Sequence, residues 1–398
     1  MSARSSIVIY FFGEMISKGL PFFFIPYLTR KLGPAGYGEL AYALTIVAFA
    51  SIFISLGQEA ATFSYYYKKG KRALPYLRTS SMILMFALTI LVAISLFLLK
   101  IKYWFLLASI SSVAILINYH MATLQAQKKE FEYILIQISS AILLIIFTFS
   151  FLELMDGDKV KLRLDAMLWS SFVVLIPIIF FFIKNTYNFL NLKKIKLYSL
   201  YLLSYGIPIF FHSFSLLIKG QIDRIFIYKQ YDALSLGVFS AGVQIAGLLS
   251  ILLGVVNKAL VPTYYENLKN KNLNESKIIK LALYSLPLTL IPSGLAFFIP
   301  ESAYIWFLGQ EYSGSKYYTY MYVFGMSLNI PYLILVNYFF YFGLTKVIAY
   351  ITISMTIIYV IILYFMSKIS IEFIPYALIF SNLLMVSVFM IVINSRRF

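Results

Sequence analysis

Seven charged side chains sit inside or at the ends of long apolar stretches of this chain: Glu14, Lys18, Glu39, Glu59, Asp223, Arg224 and Lys258. A charge at the centre of a transmembrane helix costs about 2.5–3.5 kcal/mol even on the lenient insertion scale. A chain that carries several is expected to use them to line a polar path. The cations suit an anionic ligand, since arginine grips a phosphate through two parallel hydrogen bonds and lysine acts as a point charge. Lys18, Arg224 and Lys258 are the candidates for that work. The carboxylates Glu14, Glu59 and Asp223 are candidates to carry a coupling proton or sodium ion, or to form a gate.

Spacing sharpens some of these roles. Glu14 and Lys18 are four residues apart and share a helix face, with glutamate in the favourable N-terminal place. Either the pair only eases insertion, or Glu14 holds Lys18 charged towards a cavity. Pro21 removes a backbone hydrogen bond and bends the same segment. Asp223 and Arg224 close an apolar run in the stretch KGQIDRIFI, and Lys219 lies on the face of Asp223. These residues serve either as an anchor at the outer interface or as an anion clamp. Glu39 opens a run, where a carboxylate suits a helix N-terminus. His120 and His212 are lone histidines and read as packing residues. Many of the 33 tyrosines cluster at the ends of apolar runs, as interfacial belts do. Others could stack on sugar rings, and spacing does not separate the two roles.

The elements that must position these groups are helices in a bilayer. Of 398 residues, 61% are hydrophobic and 12% charged, about half the charged fraction of a soluble domain. Apolar runs recur along the chain, each long enough to cross about 30 Å of hydrocarbon as a helix. Twelve are expected, the first over 7–28, the second over 36–63, the seventh over 198–218 and the eighth over 234–258. The runs are continuous rather than alternating, which excludes a barrel.

Several chemistries are excluded. There is no cysteine, hence no disulfide and no thiolate metal site; no metal or cofactor is expected. No G-x-x-x-x-G-K-[ST] motif offers ATP hydrolysis, and the glycines of GPAGYG at 33–38 are wrongly spaced for a dinucleotide; that stretch reads as a turn. The net charge of +17 resides in short loops, so it speaks for orientation and not for nucleic acid. Lysine and arginine are more numerous in the loops on the side of the termini, which puts both termini in the cytoplasm. Asn274-Glu275-Ser276 fits a glycosylation sequon but falls in a loop expected to be cytoplasmic.

The chain also repeats itself. At an offset of 199, Gly38 falls on Gly237, Ala43 on Gly242, Ile46 on Ile245 and Tyr65-Tyr66 on Tyr264-Tyr265. Asn118-Tyr119 and Asn337-Tyr338 answer each other in the fourth and tenth runs. Two lobes of six helices are expected, 1–190 and 191–398, in parallel orientation, an arrangement that suits alternating access. The same offset pairs Glu59 with Lys258, either as a gate that closes on the cytoplasmic side or as two independent interfacial charges.

The stretches LTRKLGPAGYGELAYALTI, IDRIFI and LGVFSAGVQIAGLLS resemble those of Wzx-type polysaccharide flippases. These belong to the multidrug/oligosaccharidyl-lipid/polysaccharide (MOP) exporter superfamily, with the MATE exporters and the lipid II flippase. The resemblance spans nearly the whole chain, and its leucine-glycine-x-x-x-tyrosine-glycine pattern is its most specific part. It implies an all-helical membrane protein of MATE-like fold in the bacterial inner membrane, with a V-shaped cavity between lobes and a lateral gate near spans one and eight. It implies no enzyme, but movement of an oligosaccharide repeat on undecaprenyl pyrophosphate from the cytoplasmic to the periplasmic leaflet. Roles in O-antigen and lipopolysaccharide biosynthesis, with a polysaccharide polymerase and a chain-length regulator as partners, belong to the same expectation. The mixture of lysines and carboxylates departs from the arginine-rich cavities of some relatives. Two other readings are a cation-coupled drug exporter and a membrane-embedded polysaccharide polymerase. The cations speak against the first, and the short outer loops against the second.

Overall fold

The structure is a computed structural model that describes residue 13 and residues 16–17, 19–186 and 191–395. Glu14 and Lys18 lie outside the described residues. In hydrocarbon every backbone N–H and C=O must be satisfied within the protein, and continuous apolar sequence achieves this as helix. The described residues accordingly form fifteen α-helices. They are α1 Ile25–Ser55, α2 Gln58–Lys69, α3 Leu74–Leu98, α4 Trp104–Ala126, α5 Glu130–Leu154, α6 Lys159–Thr186, α7 Leu192–Gln230, α8 Ala233–Lys269, α9 Glu275–Ser285, α10 Leu290–Phe298, α11 Glu301–Leu308, α12 Ser315–Ser327, α13 Asn329–Tyr341, α14 Thr345–Ile369 and α15 Ile374–Ser395.

Among the described residues, eleven stretches are long and apolar enough to span a membrane. They correspond to the second through twelfth expected runs. Of the run over 7–28, residues 7–12, 14, 15 and 18 lie outside the described residues. Several spans are interrupted in ways that hydropathy does not register. Gly33 breaks α1 with φ 66° and ψ 172°, and Pro34 restarts the helix. Leu56 and Gly57 both turn left-handed between α1 and α2. A short turn over Pro287–Thr289 separates α9 from α10, and Leu328 separates α12 from α13.

Helix starts follow local chemistry. Asp232 caps α8 by accepting the Ser235 N–H at 2.6 Å. Asn274 caps α9 by accepting the Lys277 N–H at 2.9 Å, so the amide of the sequon has a structural role. Asp158 accepts the N–H groups of Val160 and Lys161 at the start of α6, at 3.0 and 3.3 Å, as well as the Tyr103 hydroxyl. Burial would raise the Asp158 pKa, but the hydrogen bonds from Tyr103 and Lys161, with Lys102 nearby and a weaker bond from Val160, hold it below the ordinary aspartate value. A depressed carboxylate stabilises the fold above its unfolded pKa and stops doing so as pH falls. Asp158→Ala is therefore expected to cost about 1 kcal/mol near neutrality. The gap between variant and parent in thermal unfolding should narrow as pH falls below the ordinary aspartate range.

The chain forms two compact units. One takes the chain up to Lys31 together with Ala43–Phe214; the other takes Leu32–Tyr42 and the chain from Ser215 onward. In the first, α3, α4 and α6 enclose Ile54, Met85, Val113, Tyr119, Leu175 and Phe182. In the second, α8, α12, α14 and α15 meet around Phe239, Tyr322, Tyr359 and Leu378. A further cluster lies around Leu335, Tyr338, Ile351 and Phe389.

Within the second unit the start of the Pro34 helix crosses α8 at backbone contact. A Cβ on Gly38 would stand 1.8 Å from the Ala233 carbonyl oxygen, and one on Gly237 would stand 1.9 Å from that of Pro34. Pro34 and Ala233, like Gly38 and Gly237, are separated by the repeat offset. The crossing is thus reciprocal in the repeat, each copy placing its glycine against the other copy's backbone four residues earlier.

Candidate functional site

Helix α7 is longer than the run that announces it, continuing unbroken to Gln230. Asp223 and Arg224 consequently lie inside a helix, buried at 1% and 9% exposure. Asp223 Oδ1 accepts the backbone N–H of Arg224 at 2.8 Å and the guanidinium Nη1 at 3.5 Å. Its Oδ2 accepts the hydroxyl of Tyr322 from α12. Arg224 Nη1 also donates to the Gly220 carbonyl at 2.8 Å. The carboxylate is therefore fully engaged, which is how a buried charge escapes the penalty of desolvation without a partner.

Arg224 lines a cavity of about 340 Å³ in the second unit, bounded by α7, α8, α12, α13, α14 and α15. Lys219, one turn before Asp223, lines it too. The spacing of these two suggests a pair, but Lys219 makes no ion pair with Asp223. Among the described residues its Nζ has one polar contact, the Met385 sulfur at 4.0 Å. Tyr322 and Arg224 occupy the carboxylate instead. Tyr322 and Tyr332 present rings to the cavity, and Gln244, Ser250 and Asn329 present polar groups. The cavity lining holds two cations and no carboxylate.

The other candidate charges lie elsewhere. Glu59 is half-buried in the first turn of α2 and belongs to the first unit. There it faces the positive end of a helix dipole. Lys258 is exposed on α8 in the second unit and does not line the Arg224 cavity. Glu39 is half-buried in the second turn after Pro34, beyond the N-terminal position expected of it. His120 packs at 5.3 Å from the rings of both Phe181 and Phe182, the packing role the sequence suggests.

Sequence reasoning missed two buried cations, Arg163, which donates to the Thr148 hydroxyl at 2.8 Å, and Arg78. Arg78, placed by its neighbours Lys68–Arg72 in a basic loop, is a residue of α3 with 4% exposure. Its guanidinium lies 5.1 Å from the Phe181 ring centre and 5.8 Å from that of Phe182. Two of its nitrogens, Nε and Nη2, have no hydrogen-bond partner. The only available signal was its place immediately before the apolar run expected over 79–99. The Asn-Tyr pairs proved informative in another way. Tyr119 and Tyr338 are both fully buried. Tyr119 shares a 3.1 Å hydrogen bond with Thr62, and the Tyr338 hydroxyl donates to Glu275 at 2.9 Å.

An all-helical architecture with eleven stretches long and apolar enough to cross a membrane, and with buried cations inside them, is that of a multi-pass membrane protein. Comparison with known proteins agrees. The inward-facing structure of a multidrug resistance MATE family transporter of the MOP superfamily superposes with a TM-score of 0.69 at 15% identity, over 96% of this chain and 94% of that one. The lipid II flippase MurJ in an inward closed conformation gives 0.67 at 13% identity, over 99% and 88%. These likenesses establish the MOP fold. The family model described as "Polysaccharide biosynthesis protein" matches residues 3–268. Lsg locus putative protein 1 of Haemophilus influenzae is 37% identical over 387 residues, 96% of each chain. An uncharacterised membrane protein of the same organism is 34% identical over 378 residues, 95% of this chain and 93% of its own. The chain belongs to the polysaccharide biosynthesis protein family.

Proposed function

We propose that this protein is a flippase that carries undecaprenyl-pyrophosphate-linked oligosaccharide repeats from the cytoplasmic to the periplasmic leaflet of the bacterial inner membrane. Membership of the polysaccharide biosynthesis family carries this reading. The lining of the second unit's cavity, with Lys219 and Arg224 and no carboxylate, supports it as a surface for an anionic glycan lipid. In this reading the halves 1–190 and 191–398 alternate in access, with both termini cytoplasmic. Lys18, Arg224 and Lys258 bind the substrate, and Glu14, Glu59 and Asp223 serve ion coupling or gating. The sequence offers no nucleotide-hydrolysis motif, so an ion gradient would drive the cycle. O-antigen or lipopolysaccharide assembly, with a polymerase and chain-length regulator downstream, is the setting such a substrate implies.

A cation-coupled drug exporter shares the fold, but such a substrate is poorly served by a cavity lined with lysine and arginine. An embedded polymerase would need a periplasmic catalytic segment, whereas the stretch between α5 and α6 spans only residues 155–158. The deciding experiment deletes the gene in its native host and labels the lipid-linked sugars. Complete repeat units are expected to accumulate on the cytoplasmic leaflet while surface polysaccharide is lost. Single repeats that reach the periplasm without lengthening would identify a polymerase instead.

A further inference from the structure

The second unit's cavity has a chemical specification of its own. Two cations line it, and the one carboxylate beside them, Asp223, is closed off by Tyr322 and Arg224. Among the described residues these three groups leave one positive charge without a counter-charge. The residue left over is Lys219, whose ammonium has three donors and, among the described residues, a thioether sulfur at 4.0 Å as its one polar neighbour. A thioether is a weak acceptor and leaves an ammonium inside a membrane-spanning helix essentially uncompensated. Arg224 engages its Nη1 with Gly220 and Asp223, and among the described residues its Nε and Nη2 make no hydrogen bond.

The rest of the wall is not built for a bare ion. Gln244, Ser250 and Asn329 line the cavity and form no side-chain hydrogen bond with other described residues. Amide and hydroxyl groups both donate and accept, as sugar hydroxyls do. The rings of Tyr322 and Tyr332 add flat apolar faces. Gln244 and Ser250 are exposed, so the cavity is open to a ligand. Its volume of about 340 Å³ is at the small end of ligand pockets, ~300–1,000 Å³. One sugar ring fits that space.

We infer that this cavity is a recognition site for a single acidic sugar, with Lys219 and Arg224 holding its carboxylate and Gln244, Ser250 and Asn329 reading its hydroxyls. A carboxylate carries the one negative charge that is missing. A phosphate monoester carries about 1.5 to 2 at neutral pH and would overshoot. The inference rests on the reading of the chain as a carrier of glycans, and it narrows the cargo to repeats that contain a sugar acid.

The test uses the purified full-length protein in nanodiscs, with glucuronate, glucose and inorganic phosphate as probes in equilibrium binding. Glucuronate is expected to bind, with glucose and phosphate each weaker by about tenfold or more. Lys219→Met should lower glucuronate affinity by about tenfold or more, the scale of one lost charged hydrogen bond. Lys219→Arg should retain binding. Removing an intramembrane charge eases insertion, so Lys219→Met is expected to fold; Gln244→Leu, which leaves every charge in place, is the second variant and should also weaken glucuronate. Glucuronate that fails to bind, binds equally to Lys219→Met, or is matched by phosphate or glucose overturns the inference. The transport reading stands or falls separately. If repeat units accumulate in the deletion strain but glucuronate does not bind, only the sugar-acid site is lost. If glucuronate binds but no repeat units accumulate, the site survives and the flippase reading falls.

Discussion

Gly38→Val is expected to abolish most of the folded protein. No side chain fits at this position, because even a bare Cβ would lie 1.8 Å from the Ala233 carbonyl oxygen and 2.7 Å from the Gly237 nitrogen. Both obstacles are backbone, so no rotamer change relieves them. Overpacking a tight site typically costs 1–3 kcal/mol, and a clash with two rigid helices should reach about 3 kcal/mol or more. Gly237→Val is expected to behave alike, since its Cβ would meet the Pro34 carbonyl at 1.9 Å. Size-exclusion yield and thermal unfolding in detergent provide the measurement. Gly247, on the same helix with nothing within 4 Å of its Cβ position, is the control, and Gly247→Ala should fold normally. A stable, monodisperse Gly38→Val would refute the backbone contact. Because the crossing is reciprocal in the repeat, the two lethal positions are each other's counterparts at the offset of 199.

The second large effect concerns the buried pair on α7. Asp223→Ala removes the acceptor of the Tyr322 hydroxyl, the Arg224 N–H and part of the guanidinium. Arg224, at 9% exposure, is then left as a buried cation with its counter-charge gone. Breaking one side of such a pair costs about 3–5 kcal/mol, whereas replacing both partners by apolar groups is often nearly neutral. Asp223→Ala should therefore lower the unfolding temperature sharply. The double variant Asp223→Ala with Arg224→Met should recover much of the loss in a double-mutant cycle. Additive losses in the double variant would mean that the two side chains act independently. If the fold recovers in the double variant while transport does not, the pair serves the transport cycle and not only the fold.

The sequence was a good guide wherever the governing interaction is local. Apolar run length measures whether a helix can cross hydrocarbon, and the second through twelfth runs reappear as membrane-length helices. GPAGYG marked a turn because Gly33 alone tolerates φ 66° there and Pro34 can begin a helix. The repeat offset was legible because the close approach of two backbones admits only glycine, so the same letter had to stand in both copies. His120 was legible for a similar reason, since an isolated imidazole in an apolar run has little to do except pack.

What only the tertiary structure decided is which charges meet, and which meet nothing. Lys219 and Asp223 share a helix face, yet Tyr322, 99 residues away, takes the carboxylate and leaves the lysine to the cavity. Arg78 looked like a loop residue because its sequence neighbours are basic; Phe181 and Phe182, about a hundred residues further on, bury it. Residues 32–42 pack with the second unit although the chain runs on from them into the first. The physical reason is common to all three. Hydropathy and spacing report a residue's own helix, whereas burial and electrostatic partners are set by side chains that other helices bring alongside it.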